Sequence, residues 1–78
     1  YYVLPILQGD RFIGRIDPLM ERKTGILTIN AIYAEDDAPD DADTIRQIRQ
    51  SIENLGAWLG AKEIRYSDVL PTIWQGIV

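Results

Sequence analysis

An α+β fold, with one amphipathic helix packed on one face of a small antiparallel sheet, is what three features of this 78-residue sequence predict. Two short apolar runs flank a Gly9-Asp10 pair, a third run from Ile26 to Ala34 alternates, and residues 42–59 carry apolar groups at helical spacing. At most eight residues separate these signals, so one compact unit spanning 1–78 accounts for all of them.

Residues 1–8 and 11–17 read as two strands, because Gly-Asp suits the two-residue turns of hairpins. With that turn fixing an unbroken register, Ile6 faces Ile13 and Leu4 faces Arg15. One face then carries Val3, Pro5, Leu7, Phe12, Gly14 and Ile16, and the other Tyr2, Leu4, Ile6, Ile13, Arg15 and Asp17. Pro18 to Thr24, with its proline and charges, reads as a loop closed by Gly25. The strand Ile26–Ala34 places Leu27, Ile29, Ala31 and Tyr33 on one side and Ile26, Thr28, Asn30 and Ile32 on the other.

Asp41 or Asp43 caps a helix over Ala42–Leu59, and Gly60 stops it. Its stripe is Ile45, Ile48, Ile52, Leu55, Trp58 and Leu59, with Trp58 assigned to the core. Glu63 to Tyr66 gives a short fourth strand, and Pro71 opens a closing turn with Ile73 and Trp74. The order is therefore β-β-β-α-β, a three-stranded meander plus a fourth short strand.

One helix covers one sheet face, yet the first two strands are apolar on both. The sequence also starts in a strand without methionine. Together these lead us to expect a portion of a larger protein, with Tyr2, Leu4, Ile6 and Ile13 as the interface to its remaining domains, or to a second copy in an isolated fragment.

Composition removes many chemistries. The sequence has no cysteine and no histidine, hence no disulfide, no thiolate metal site and none of the commonest general base. No apolar run is long enough to span a bilayer, so neither membrane association nor a signal peptide is expected and the cytoplasm is the default compartment. A net charge of −4 argues against nucleic-acid binding by this piece alone.

The acidic stretch Glu35 to Asp43 lacks the alternating acids and central glycine of a calcium loop, so we read it as a solvated, helix-capping loop and expect no metal or cofactor. Arg15, Arg22 and Lys23 are candidate contacts to a DNA backbone. For Arg15 the competing reading is a structural pair with Asp17. Gln47 and Gln50 fall on the exposed helix face.

The run Tyr1-Tyr2-Val3-Leu4-Pro5-Ile6-Leu7-Gln8-Gly9-Asp10-Arg11-Phe12-Ile13-Gly14-Arg15-Ile16-Asp17, followed by Glu21-Arg22-Lys23-Thr24-Gly25-Ile26-Leu27, resembles the C-terminal part of the YcaQ-type winged-helix DNA glycosylases, relatives of the AlkZ enzymes. The similarity extends to about residue 66, and the first 27 residues carry most of it.

What the resemblance implies is hydrolysis of the N-glycosidic bond of damaged or crosslinked bases by the parent protein, with DNA bound through its tandem winged helices. The family's Gln-x-Asp or Gln-x-Gln motif has no counterpart here, since Gln47 and Gln50 are differently spaced. No catalytic residue carries over. The expectation is a non-catalytic accessory domain that supports the catalytic module. The alternative is a non-enzymatic interaction or dimerisation domain.

Overall fold

In a computed structural model, which describes residues 3–68 and 70–77, the chain forms a four-stranded sheet with one long helix. The elements are β1 (Leu4–Gln8), β2 (Arg11–Glu21), β3 (Ile26–Ala34), α1 (Ala42–Leu59) and β4 (Glu63–Tyr66), followed by a 3-10 segment, Thr72–Ile77. Strand order is β1-β2-β3-β4. The meander β1-β2-β3 is antiparallel, and β4 joins β3 in parallel, making the sheet mixed. That direction follows from the connection, because a helical crossover returns the chain to the starting end of the sheet.

The Gly9-Asp10 turn forms as its sequence requires, with φ of 65° at Gly9 and no positive φ at Asp10, the pattern of a turn with glycine first. Asp41 is the N-cap of α1 and its carboxylate accepts from the Thr44 amide at 3.1 Å. Gly60 ends the helix in the left-handed region at φ 76°, and the Ala61 amide donates to the Gly56 carbonyl at 2.8 Å.

Two bulges change which side chains share a face. Leu7 pairs Phe12, but Ile6 pairs Gly14 rather than Ile13. Ile13 is the extra residue, so it and Gly14 both turn inward and the parity of β2 inverts beyond them. A second bulge lies where Asp17 pairs Ala31 and Pro18 pairs Ile29, leaving Asn30 extra in β3. Ile32 consequently turns inward and Tyr33 outward, opposite to the sequence expectation.

Of the interface expected at Tyr2, Leu4, Ile6 and Ile13, the structure corrects Ile13, which lies in the core. Ile13 is 2% exposed in the core, and Leu4 and Ile6 pack half-buried against it, all on the face that α1 covers. Tyr2 lies outside the described residues. The uncovered face instead carries Val3, Pro5, Leu7, Phe12, Arg15 and Tyr33.

The loop expected over Pro18 to Thr24 is also corrected, because β2 continues to Glu21 and only the turn at 22–25 is irregular. Proline is tolerated there because β1 pairs no further along β2 than Ile16 among the described residues. Beyond that point β2 has a neighbour only on the β3 side, and the missing amide breaks no ladder.

The core is built of Ile13, Ile16, Leu27, Ile29, Ile32, Ile48 and Ile52, closed at one end by Trp74 and Ile77 from the 3-10 segment. The Trp74 indole donates to the Pro39 carbonyl at 2.8 Å, which satisfies its buried N–H. Its ring lies so close to Gly14 that a Cβ there would stand 2.8 Å from it. Gly56 allows an equally close approach of α1 to Ile64, whose terminal methyl a Cβ would meet at 2.8 Å.

Candidate interaction surfaces

The open sheet face is one of two surfaces on which the structure leaves apolar groups in water. It carries Val3 just before β1, Leu7 of β1, Phe12 and Leu19 of β2 and Tyr33 of β3, each between 42% and 57% exposed. Apolar side chains left in water forgo the burial that stabilises the other face, about 25 cal/mol per Å².

Arg15 stands at the centre of this face. Its guanidinium stacks on the Tyr33 ring at 4.3 Å from the centroid, a cation–π contact across the paired positions of β2 and β3. The second bulge produces that contact, since it brings Tyr33 to the outer face opposite Arg15.

Arg22 and Lys23 lie exposed in the β2–β3 turn. Arg22 borders a groove on the opposite, helix-bearing side, together with Met20, Leu55 and Leu59. Seven residues of extended chain separate it from Arg15, about 23 Å at about 3.3 Å per residue. The three candidate phosphate contacts therefore do not converge on one patch.

At the other end of β1, Gln8 donates to the buried Thr44 hydroxyl at 2.9 Å, and that hydroxyl donates to the Asp41 carboxylate at 2.7 Å. These bonds hold the Asp41 carboxyl below its ordinary value of 3.8, the Thr44 side chain being the chief cause. Nearby, Arg11 grips the Asp37 carbonyl at 2.8 Å and its carboxylate at 3.2 Å, tying the acidic loop to the hairpin. Burial, with the Glu53 carboxylate nearby, raises the Tyr66 phenol above its ordinary value of 10.0.

Trp58 is displaced from the core to which its spacing assigned it, standing 80% exposed. At 100° per residue it lies about 120° from Ile52 around the helix, outside the buried arc. A helical wheel centred on Ile52 carries that signal, whereas spacings of three and four alone do not. For Tyr33 no equivalent signal exists, because nothing in the sequence marks Asn30 as the bulged residue.

Among the described residues no cluster of three or more histidine, cysteine, aspartate or glutamate side chains is arranged to hold a metal, and no helix is long and apolar enough to cross a membrane. Compared with protein-family models and with solved structures, the chain finds no match in either.

Proposed function

We propose that this chain is a non-catalytic accessory domain of a DNA-repair glycosylase that hydrolyses N-glycosidic bonds of damaged or crosslinked bases. In this reading the rest of that protein binds the DNA and supplies the catalytic groups. The glycosylase part of the reading is supported by the resemblance of residues 1–27 to the YcaQ-type family, and the accessory role by the structure's open sheet face. That face is the observation that carries it: Val3, Leu7, Phe12 and Tyr33 stand exposed together on one side of a sheet whose other side packs against α1.

Domains that act by covering a neighbour keep such a surface, while a free-standing enzyme of this size needs a concave site with convergent polar groups. Arg15 then serves as a polar anchor within an otherwise apolar contact. Its stacking on Tyr33 presents the guanidinium edge outward, where a carboxylate or carbonyl of the neighbouring domain meets it.

The test is base release from alkylated and crosslinked duplex DNA. The chain alone is expected to release none, and the protein that contains it is expected to release the modified base. Phe12→Asp within that protein is expected to lower its thermal midpoint without changing the isolated domain's. A containing protein that binds no DNA and releases no base overturns the glycosylase reading. The surviving alternative would be a non-enzymatic interaction or dimerisation domain, which the net charge of −4 favours.

A further inference from the structure

A second surface, on the helix-bearing side, is independent of whether the glycosylase reading holds. Three cavities follow one flank of α1. One of about 150 Å³ lies between Leu4 and Ile6 of β1 and Ile52 and Leu55 of the helix. A second of about 210 Å³ continues past Leu55 to Leu59 beneath Met20. A third, of about 20 Å³, adjoins the first at Ile48 and Ser51 and reaches Thr44. Shared walls make them one groove, closed at the Thr44 end by the bond from Gln8, and the two larger cavities follow the helix from Ile48 to Leu59, about 16 Å.

The groove exists because one helix is too narrow for this sheet. Four strands span about 19 Å, whereas a helix with its side chains is about 10 Å across. The C-terminal half of α1 sits over β3 and β4, with Gly56 against Leu27 and Ile64. The β1–β2 half of the same face is left with Leu4, Ile6 and Met20 only partly covered. A second helix at the usual spacing of about 8–10 Å from α1 fills that half.

Charge decides what kind of helix. Of all the residues lining the three cavities, Arg22 alone is charged. Among the described residues it has no carboxylate partner, while Arg11, Arg46, Arg49 and Arg65 each have one. The helix-side lip runs Gln47, Ser51 and, seven residues on, Trp58, which keeps it on the same flank. A charge-poor strip with a tryptophan 80% exposed is the composition of an interface core.

We propose that the seam between α1 and the β1–β2 hairpin seats an amphipathic helix of a partner protein, which lays its apolar stripe beside α1 and sets a carboxylate against Arg22. Leucine-sized side chains enter the two larger cavities, and Trp58 folds over the incoming helix from the lip. Arg22 fixes which way the partner helix runs, since only one of its ends then meets a cation.

The probe is a helix-stabilised peptide of about 14 residues, long enough for the groove. It carries leucines at helical spacing and a glutamate at the end nearest Arg22. Two companions replace that glutamate with lysine or the leucines with serine. Binding to the full chain is followed by amide chemical shifts and by Trp58 emission, with Trp58→Phe isolating the buried Trp74.

The glutamate peptide is expected to shift Leu4, Ser51, Leu55 and Leu59, and the serine peptide to shift nothing. Arg22→Glu is expected to weaken the glutamate peptide about fivefold and to favour the lysine peptide. Ser51→Glu, an exposed position that leaves the core intact, is expected to abolish binding. Shifts confined to Leu7, Phe12 and Tyr33, equal affinity for all three peptides, or no binding overturn the proposal. Self-association of the chain that Ser51→Glu dissolves also overturns it, in favour of a second copy in the groove.

Discussion

Trp58 and Trp74 stand at opposite extremes of burial, 80% and 0% exposed, and their substitution separates surface from core at single residues. Trp74→Ala removes a ring packed on Gly14 and an indole bond to Pro39, and such a change costs about 3–5 kcal/mol. For a domain of this size, with about 0.1 kcal/mol of stability per residue, that is roughly half of the total. Trp58→Ala is expected to stay within about 0.5 kcal/mol. Urea unfolding of both variants checks the contrast, and equal losses would place Trp58 in the core after all.

Asp41 acts at the same scale. A carboxyl whose folded pKa is depressed adds stability that is present above its unfolded value, near 3.8, and is lost as pH falls through the lower folded value. Asp41→Asn keeps a capping acceptor but cannot titrate. Between pH 4 and 2 its thermal midpoint is therefore expected to fall less steeply than that of the native chain. At pH 7 Asp41→Ala, which lacks the acceptor altogether, is expected to melt about 5 °C lower.

Elements differ in how openly the sequence declares them. α1 was legible to the residue, because Asp41, a stripe at three and four, and Gly60 all act within the helix itself. β3 was legible in extent but not in facing, since its outward turn at Tyr33 depends on a bulge opposite Asp17. The continuation of β2 through Pro18 was illegible for a related reason: whether a proline breaks a strand depends on how far its neighbour reaches. Of the candidate site, the exposed positions of Arg22 and Lys23 could be read, whereas the Arg15–Tyr33 stack and the groove depend on tertiary register.

Close approaches between elements give a paired prediction. Gly14→Ala drives a Cβ to 2.4 Å from the Tyr33 carbonyl oxygen and 2.8 Å from the Trp74 ring, neither of which can yield cheaply. A loss of about 2–3 kcal/mol is expected. Gly56→Ala meets the terminal methyl of Ile64 at 2.8 Å, a flexible group, and alanine gains about 1 kcal/mol of helix propensity. Its net change is expected to stay within about 1 kcal/mol, so calorimetry of the two variants should separate strand-to-turn packing from helix-to-sheet packing.

At the scale of the whole molecule, the two-sided apolar hairpin survives as a property of the sheet, but the residues of β2 beyond the bulge change sides. One extra residue at Ile13 moves Gly14 and Ile16 to the side of Leu4 and Ile6 and Arg15 to the side of Leu7 and Phe12, because a bulge shifts every later side chain of β2 by one face. The consequence is testable with alternating substitutions along β1, whose neighbours in sequence have opposite fates. Ile6→Ala removes a group packed on the core and is expected to cost about 1–3 kcal/mol. Leu7→Thr, at a position 57% exposed on the open face, is expected to leave stability within about 0.5 kcal/mol. In the unbulged register the same two positions still fall on opposite faces, so the deciding pair lies beyond the bulge. Arg15→Thr on the outer face should be tolerated, while Gly14→Thr and Ile16→Thr should both destabilise by at least about 2 kcal/mol. If Ile16→Thr were neutral and Arg15→Thr destabilising, β2 would follow the unbroken hairpin, with Arg15 on the covered face beside Leu4, Ile6 and Ile13 and Ile16 on the open face beside Leu7 and Phe12.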